Sequence, residues 1–133
     1  MNPTVLFLCP HNAAKSVIAA AYFDRLAAEA GLAIKAASAG TEPDAEVAAA
    51  VVDMLQSEGI DVSQNVPRRV TLEDFANALR VVSLGCDVQR LAANGPTITN
   101  WNDIPSASQN PMAARDRILE YLRPLIRELS EAH

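Results

Sequence analysis

Cysteine is scarce: Cys9 and Cys86 are the only two in 133 residues. They stand far apart, with no Cys-x-x-Cys pair and no histidine cluster beside them. That pattern excludes a disulfide framework and a cysteine-based zinc site. No metal or organic cofactor is expected. Basic charge is in deficit, with 11 Lys and Arg against 16 Asp and Glu and a formal net charge of -5. The deficit argues against nucleic acid as a general partner. No apolar run approaches the roughly 18 residues that cross a bilayer, so no membrane partner is expected. The first apolar stretch has no basic residues ahead of it, so no signal peptide is expected, and the expected location is the cytoplasm. Internal repeats, linkers and low-complexity tracts are missing too. The remainder is ordinary for a globular chain, at 50% apolar and 20% charged residues. It suffices for one domain over 1–133 with a core of its own.

What is present concentrates in one stretch, Cys9-Pro10-His11-Asn12-Ala13-Ala14-Lys15-Ser16. The apolar run Val5-Leu6-Phe7-Leu8 leads into it, and an alanine-rich helical pattern, Val17 to Ala30, leaves it. A strand, a short polar loop and a helix together build an anion cradle. Loop amides and the helix N-terminus converge on one spot, where the helix dipole favours negative charge. A cysteine at the base of that cradle has its thiolate stabilised. Lys15 supplies a cation, and Ser16 a hydroxyl beside the sulfur. The reading is a thiolate nucleophile facing a tetrahedral oxyanion such as phosphate or arsenate.

Cys9-x5-Lys15-Ser16 resembles the Cys-x5-Arg-Ser/Thr loop of the low-molecular-weight protein tyrosine phosphatases. The His11-Asn12-Ala13 interior is similar to that of the thioredoxin-coupled arsenate reductases built on the same fold. Ser38-Ala39-Gly40-Thr41-Glu42-Pro43, Val81 to Cys86 and Trp101 to Pro105 extend the resemblance, in order, over nearly the whole chain. It implies an α/β fold: a three-layer, doubly wound, four-stranded parallel sheet in the order 2-1-3-4. It also implies that Pro10, His11, Asn12, Ala13 and Ala14 form the oxyanion loop, with Asn12 holding the loop backbone. The chain departs from the family pattern in three places. Lys15 replaces the family arginine. Asn94-Gly95-Pro96 stands where a second redox cysteine is expected. Asp103 lies one residue earlier than the family's acid before proline.

Along the chain, residues 4–8 suit a central parallel strand. The first helix carries Ile18, Tyr22 and Leu26 on one face and ends at Gly31. Ile34 to Ala39 reads as strand two. Asp44 reads as the N-cap of a helix through about Ser57, with Val47, Val51 and Leu55 buried and Gly59 at its end. Residues 60–69 read as irregular, with Pro67-Arg68-Arg69 at the surface. Thr71-x-x-Asp74 resembles a capping box opening a short helix through Leu79. Val81 to Leu84 is strand three, and Thr97 to Trp101 strand four. Asn110-Pro111 opens a last helix with Ala114, Ile118, Tyr121, Leu122 and Ile126 inward and a kink at Pro124. In such a sheet ligands bind beyond the strand C-termini, at the switch point. The implied strand order puts Cys86 on the same rim as Cys9.

Each residue has a rival reading. Cys9 is a nucleophile or an inert strand-end thiol. Lys15 grips an oxyanion or is a solvated lysine in a first helical turn. Its ammonium is a point charge where a guanidinium would offer a planar fork. Ser16 donates to the thiolate or caps the helix. Asp103 is a general acid for the leaving group or a turn-forming aspartate. Cys86 resolves an oxidised or arsenylated Cys9 or is a structural thiol. The expected activity is phosphotyrosine phosphatase-like or arsenate reductase-like, slowed by Lys15. The expected partners are a phosphate or arsenate oxyanion and a phosphorylated protein or a thiol reductant. The alternative is an oxyanion-binding sensor or adaptor. A more distant one takes Cys9 to Ser16 as a degenerate G-x-x-x-x-G-K-[ST] nucleotide loop, with both glycines replaced.

Overall fold

The chain builds four parallel strands in the order β2-β1-β3-β4. This computed structural model describes residues 3–85, 98–107 and 109–132. The elements run β1 (Thr4–Leu8), α1 (Lys15–Glu29), β2 (Lys35–Ala39), α2 (Ala49–Ser57), α3 (Leu72–Asn77), β3 (Ala78–Ser83), β4 (Ile98–Asn100) and α4 (Pro111–Ala132). The architecture is the doubly wound α/β sheet in the expected 2-1-3-4 order. Among the described residues no helix is long and apolar enough to cross a membrane.

The centre of the sheet follows from β1. Its residues alternate faces, and both faces are covered. Val5 and Phe7 join Ile18, Phe23, Ile118 and Leu122 in the larger core, against α1 and α4. Leu6 and Leu8 join Val70, Phe75 and Val81 in a smaller core on the other side. Register then aligns the strand ends: Leu8 pairs with Ala39 on one side and with Ser83 on the other, and Ser83 pairs with Asn100. The residues that follow, Cys9, Gly40, Leu84 and Trp101, therefore leave the sheet along one rim. Residues far apart in the chain meet there.

Several boundaries differ from the sequence reading, for physical reasons. Helix α1 starts at Lys15 rather than Val17. Helix α2 starts at Ala49, with Ala48 as its N-cap in place of Asp44. Asp44 is instead held at the first loop: its carboxylate lies 3.3 Å from the His11 Nδ1 and its N–H donates to the His11 carbonyl, while the Ala48 N–H donates to that of Ala13. The segment before α2 is spent on tethering the first loop. Val51 and Leu55 are fully buried as expected, while Val47 packs at the edge of the core. The Thr71–Asp74 capping box forms with both of its hydrogen bonds. Its helix ends at Asn77, and β3 takes Ala78 and Leu79 directly. Pro67-Arg68-Arg69 is only partly surface. Pro67 is buried, and Arg69 forms a parallel bridge with Gly40. Asn110 caps α4 through its side chain, bonded by the Ala113 N–H at 3.1 Å. The helix runs unbroken through Pro124. Tyr121 is half-buried and stacks on Trp101 at 4.8 Å.

Candidate active site: a thiol beneath an amide loop

Strand β1 delivers Cys9, which is buried, to the rim. The Cys9 Sγ lies 3.0 Å from the Ser16 Oγ, and the Ser16 N–H donates to the same sulfur at 3.4 Å. Asn12 Nδ2 donates to Ser16 Oγ at 2.9 Å. With that oxygen accepting from Asn12, its own hydrogen is available to the sulfur. A thiolate only accepts, so in that state serine is the donor. Asn12 is in turn held through Oδ1 by the Arg68 N–H at 3.0 Å. Its φ of 49° is left-handed, a conformation asparagine tolerates better than most residues. This gives physical content to the expectation that Asn12 shapes the loop.

The loop between Cys9 and Ser16 is held open from outside. The carbonyls of Pro10, His11 and Ala13 accept from the N–H groups of Glu42, Asp44 and Ala48 at 2.7, 2.9 and 2.9 Å. A trans peptide points its N–H opposite to its C=O. The amides of His11, Asn12 and Ala14 are thereby turned away from those tethers. Among the described residues, no acceptor meets the N–H groups of residues 11–15. The first turn of α1 adds its own amides: Ala14 provides no side-chain cap, and no acidic residue occupies that turn. Donors and helix dipole together favour an anion.

Gly40 is packed against the floor of the loop. A Cβ there would stand 2.6 Å from the Pro10 carbonyl oxygen, 2.9 Å from that of Cys9 and 3.0 Å from the Asn12 nitrogen. In the sequence Gly40 marks the end of strand two and belongs to the stretch that carries the resemblance. No local pattern marks a glycine that another segment must approach closely.

A cavity of about 330 Å³ opens beside the thiol. Cys9, His11, Ala13, Lys15, Asp44 and Leu84 are among its lining residues. Lys15 is half-buried and makes no hydrogen bond or ion pair among the described residues. Asp44, which sequence reading assigned to a helix cap, instead lines this cavity beside His11.

Asp103 is not brought to this cavity. The same segment contributes Ser106 and Ala107 to its wall. The Asp103 carboxylate accepts from the Tyr121 hydroxyl at 2.6 Å and pairs with the Arg117 guanidinium. Those two partners, Tyr121 first, hold its carboxyl below the usual carboxylate range. A carboxylate held ionised is a poor proton donor. Asp103→Asn is expected to leave turnover of poor and good leaving groups in the same ratio as in the wild type. A folded-state pKa below the unfolded one adds stability above the unfolded value, and that stability disappears as pH falls through the folded value. The Tm of Asp103→Asn should therefore lie below wild type at pH 7, with the gap closing under acid conditions below about pH 4. Paired thermal melts check this.

Cys86 lies outside the described residues, while Leu84 and Gly85, just before it, line the cavity. Among the described residues no group of three His, Cys, Asp or Glu side chains is placed to hold a metal ion.

A buried thiol thus lies at a helix start and at the switch point of a parallel α/β sheet, beside loop amides that meet no acceptor among the described residues. The chain belongs to the low molecular weight phosphotyrosine protein phosphatase family, whose profile matches residues 4–97, and this is a family of enzymes. A putative arsenate reductase of Halobacterium salinarum is 28% identical over 97 residues, 71% of this chain and 68% of that protein. The thioredoxin-dependent arsenate reductase of Corynebacterium glutamicum superposes with a TM-score of 0.79 at 26% identity. That match covers 99% of this chain and 63% of the other. YfkJ from Bacillus subtilis shares the fold at a TM-score of 0.83 and 23% identity, over 99% and 97% of the two chains.

Proposed function

We propose that this protein carries out cysteine-dependent chemistry on a tetrahedral oxyanion, with arsenate as substrate and an external thiol as reductant. The observation that carries the reading is the buried Cys9 sulfur at the amides of residues 11–15, which meet no acceptor among the described residues, with Lys15 lining the same cavity. The thiolate attacks arsenic, an S–As bond forms, and an oxygen leaves as water after taking a proton. A second thiolate then attacks the Cys9 sulfur. A disulfide forms, the S–As electron pair stays on arsenic, and arsenite departs. Two thiols are oxidised as arsenic(V) becomes arsenic(III).

One feature favours a compact oxyanion over an aryl phosphate: among the described residues the cavity wall carries no Phe, Tyr or Trp side chain to stack on a ring. The same attack on phosphorus gives a cysteinyl phosphate that water hydrolyses, so phosphomonoesters are secondary substrates.

Lys15 neutralises the charge that gathers on the oxyanion. Lys15→Met is expected to lower kcat/KM by about 10- to 100-fold, the value of one charge-assisted hydrogen bond. Lys15→Arg should retain or raise the rate, because its planar fork reaches two oxygens. Steady-state kinetics on an activated aryl phosphate check both. The substrate is tested by arsenate-dependent NADPH oxidation in the presence of thioredoxin and thioredoxin reductase. Turnover by wild type and none by Cys9→Ser is expected. Aryl phosphate hydrolysis with no arsenite formed would move the assignment to a phosphatase. Phosphate-dependent stabilisation with no turnover of either would leave an oxyanion binder.

A further inference from the structure

Resting on this thiol–oxyanion reading, the geometry points to His11 as the proton carrier of the site, held in one orientation by Asp44. His11 Nδ1 lies 3.0 Å from the Glu42 carbonyl oxygen and 3.3 Å from an Asp44 carboxylate oxygen. A carbonyl and an ionised carboxylate only accept, so Nδ1 bears the hydrogen. That leaves Nε2 as the nitrogen that exchanges a proton. The backbone locks the pair reciprocally, since the Asp44 N–H donates to the His11 carbonyl at 2.9 Å. A second tether, from the Glu42 N–H to the Pro10 carbonyl at 2.7 Å, fixes the segment on which the ring rests.

Both His11 and Asp44 line the cavity that holds Cys9 and Lys15. An imidazole held at one nitrogen by a carboxylate and a carbonyl keeps its other nitrogen for proton transfer. Asp103 is not among the described residues that line the cavity, and its carboxyl is held below the usual carboxylate range by Tyr121 and Arg117. Cys9 is the nucleophile, and Lys15 provides the fixed cation.

With Nε2 protonated, the Cys9 thiolate attacks phosphorus and an S–P bond forms. The P–O bond to the leaving group breaks, its electron pair stays on the leaving oxygen, and that oxygen takes the Nε2 proton. Neutral Nε2 then takes a proton from the water that attacks phosphorus. The new P–O bond forms, the S–P bond breaks, and its electron pair returns to Cys9 as thiolate. On arsenate the same donation releases water as the S–As bond forms. His11 is thus a catalytic residue, and Asp44 a positioning residue.

The test compares hydrolysis of phenyl phosphate and dinitrophenyl phosphate by wild type, His11→Asn and Asp44→Asn, with Cys9→Ser alongside. Asparagine can still donate to the Glu42 carbonyl but has no counterpart of Nε2. His11→Asn is expected to slow phenyl phosphate by about 10²-fold or more. The dinitrophenyl ester, whose leaving group departs without a proton, should slow only a few-fold. Asp44→Asn should show the same leaving-group dependence at smaller amplitude, which a merely structural role would not produce. Equal losses on both esters in His11→Asn, or no loss, would overturn the inference. A wild type that handles only the activated ester, or neither, overturns it as well. The thiol reading fails separately, by Cys9→Ser turning over the esters at the wild-type rate.

Discussion

Cys9→Ser is expected to lower kcat on any oxyanion substrate by about 10⁴-fold or more, the scale on which loss of a catalytic nucleophile is felt. The argument is local. Serine keeps the size class and the strand end, so the core behind it, formed by Val5, Phe7 and Val17, is undisturbed. The amides of residues 11–15 and the Lys15 ammonium remain in place, and phosphate affinity should change only a few-fold. What disappears is the nucleophile. A serine hydroxyl is far less acidic and less nucleophilic than a cysteine thiol as a side-chain type. No carboxylate or imidazole lies within hydrogen-bond distance of the sulfur among the described residues to deprotonate an alcohol there. Phosphate binding by calorimetry, paired with turnover, separates the two effects. Cys9→Ser retaining a tenth of the wild-type rate would contradict them.

Gly40→Ala is the second large effect, and it acts from outside the loop. All three atoms that the new Cβ would meet are backbone atoms of the loop, so none can swing aside as a side chain would. Relief requires moving the floor of the cradle by a few tenths of an ångström or more. The Pro10 carbonyl is pinned by the Glu42 N–H, so the shift propagates into the tether. A misplaced cradle is costly in rate, and kcat/KM should fall by about 10²-fold. Overpacking of this kind costs about 1–3 kcal/mol of stability. Gly31→Ala is the control. Its added Cβ meets nothing within 4 Å, but its φ of +72° strains any other residue. It should lose about 1–2 kcal/mol with turnover intact. If both variants keep wild-type turnover, the close packing of Gly40 on the loop is irrelevant to the chemistry.

The local signals were read correctly where a single stretch of chain decides the outcome. The run Val5 to Leu8 became the central strand, Thr71 and Asp74 formed their reciprocal cap, and Asn110 with Pro111 opened α4. The loop stands out in the sequence because its candidate chemistry is packed into consecutive residues. What failed was decided by partners elsewhere. Asp44 has the residue type of a helix cap, but its carboxylate lies against the His11 ring, 3.3 Å from Nδ1. Asp103 stands near the expected place for an acid, yet Arg117 and Tyr121, one α4 turn apart, claim its carboxylate. Asn12 owes its orientation to the backbone of Arg68, 56 positions later. The α3–β3 junction was misplaced because Ala78 and Leu79 suit either element, and pairing with β1 settled it.

The central claim is that Cys9 becomes covalently bonded to the central atom of the oxyanion during turnover. Acid-quenched mass spectrometry after mixing excess enzyme with an activated aryl phosphate tests it most directly. A transient phosphoryl adduct on the peptide bearing Cys9, formed as fast as the phenol is released, is the predicted result. Phenol release with no adduct on Cys9, or with the phosphoryl group on Ser16 or His11 instead, would contradict the account.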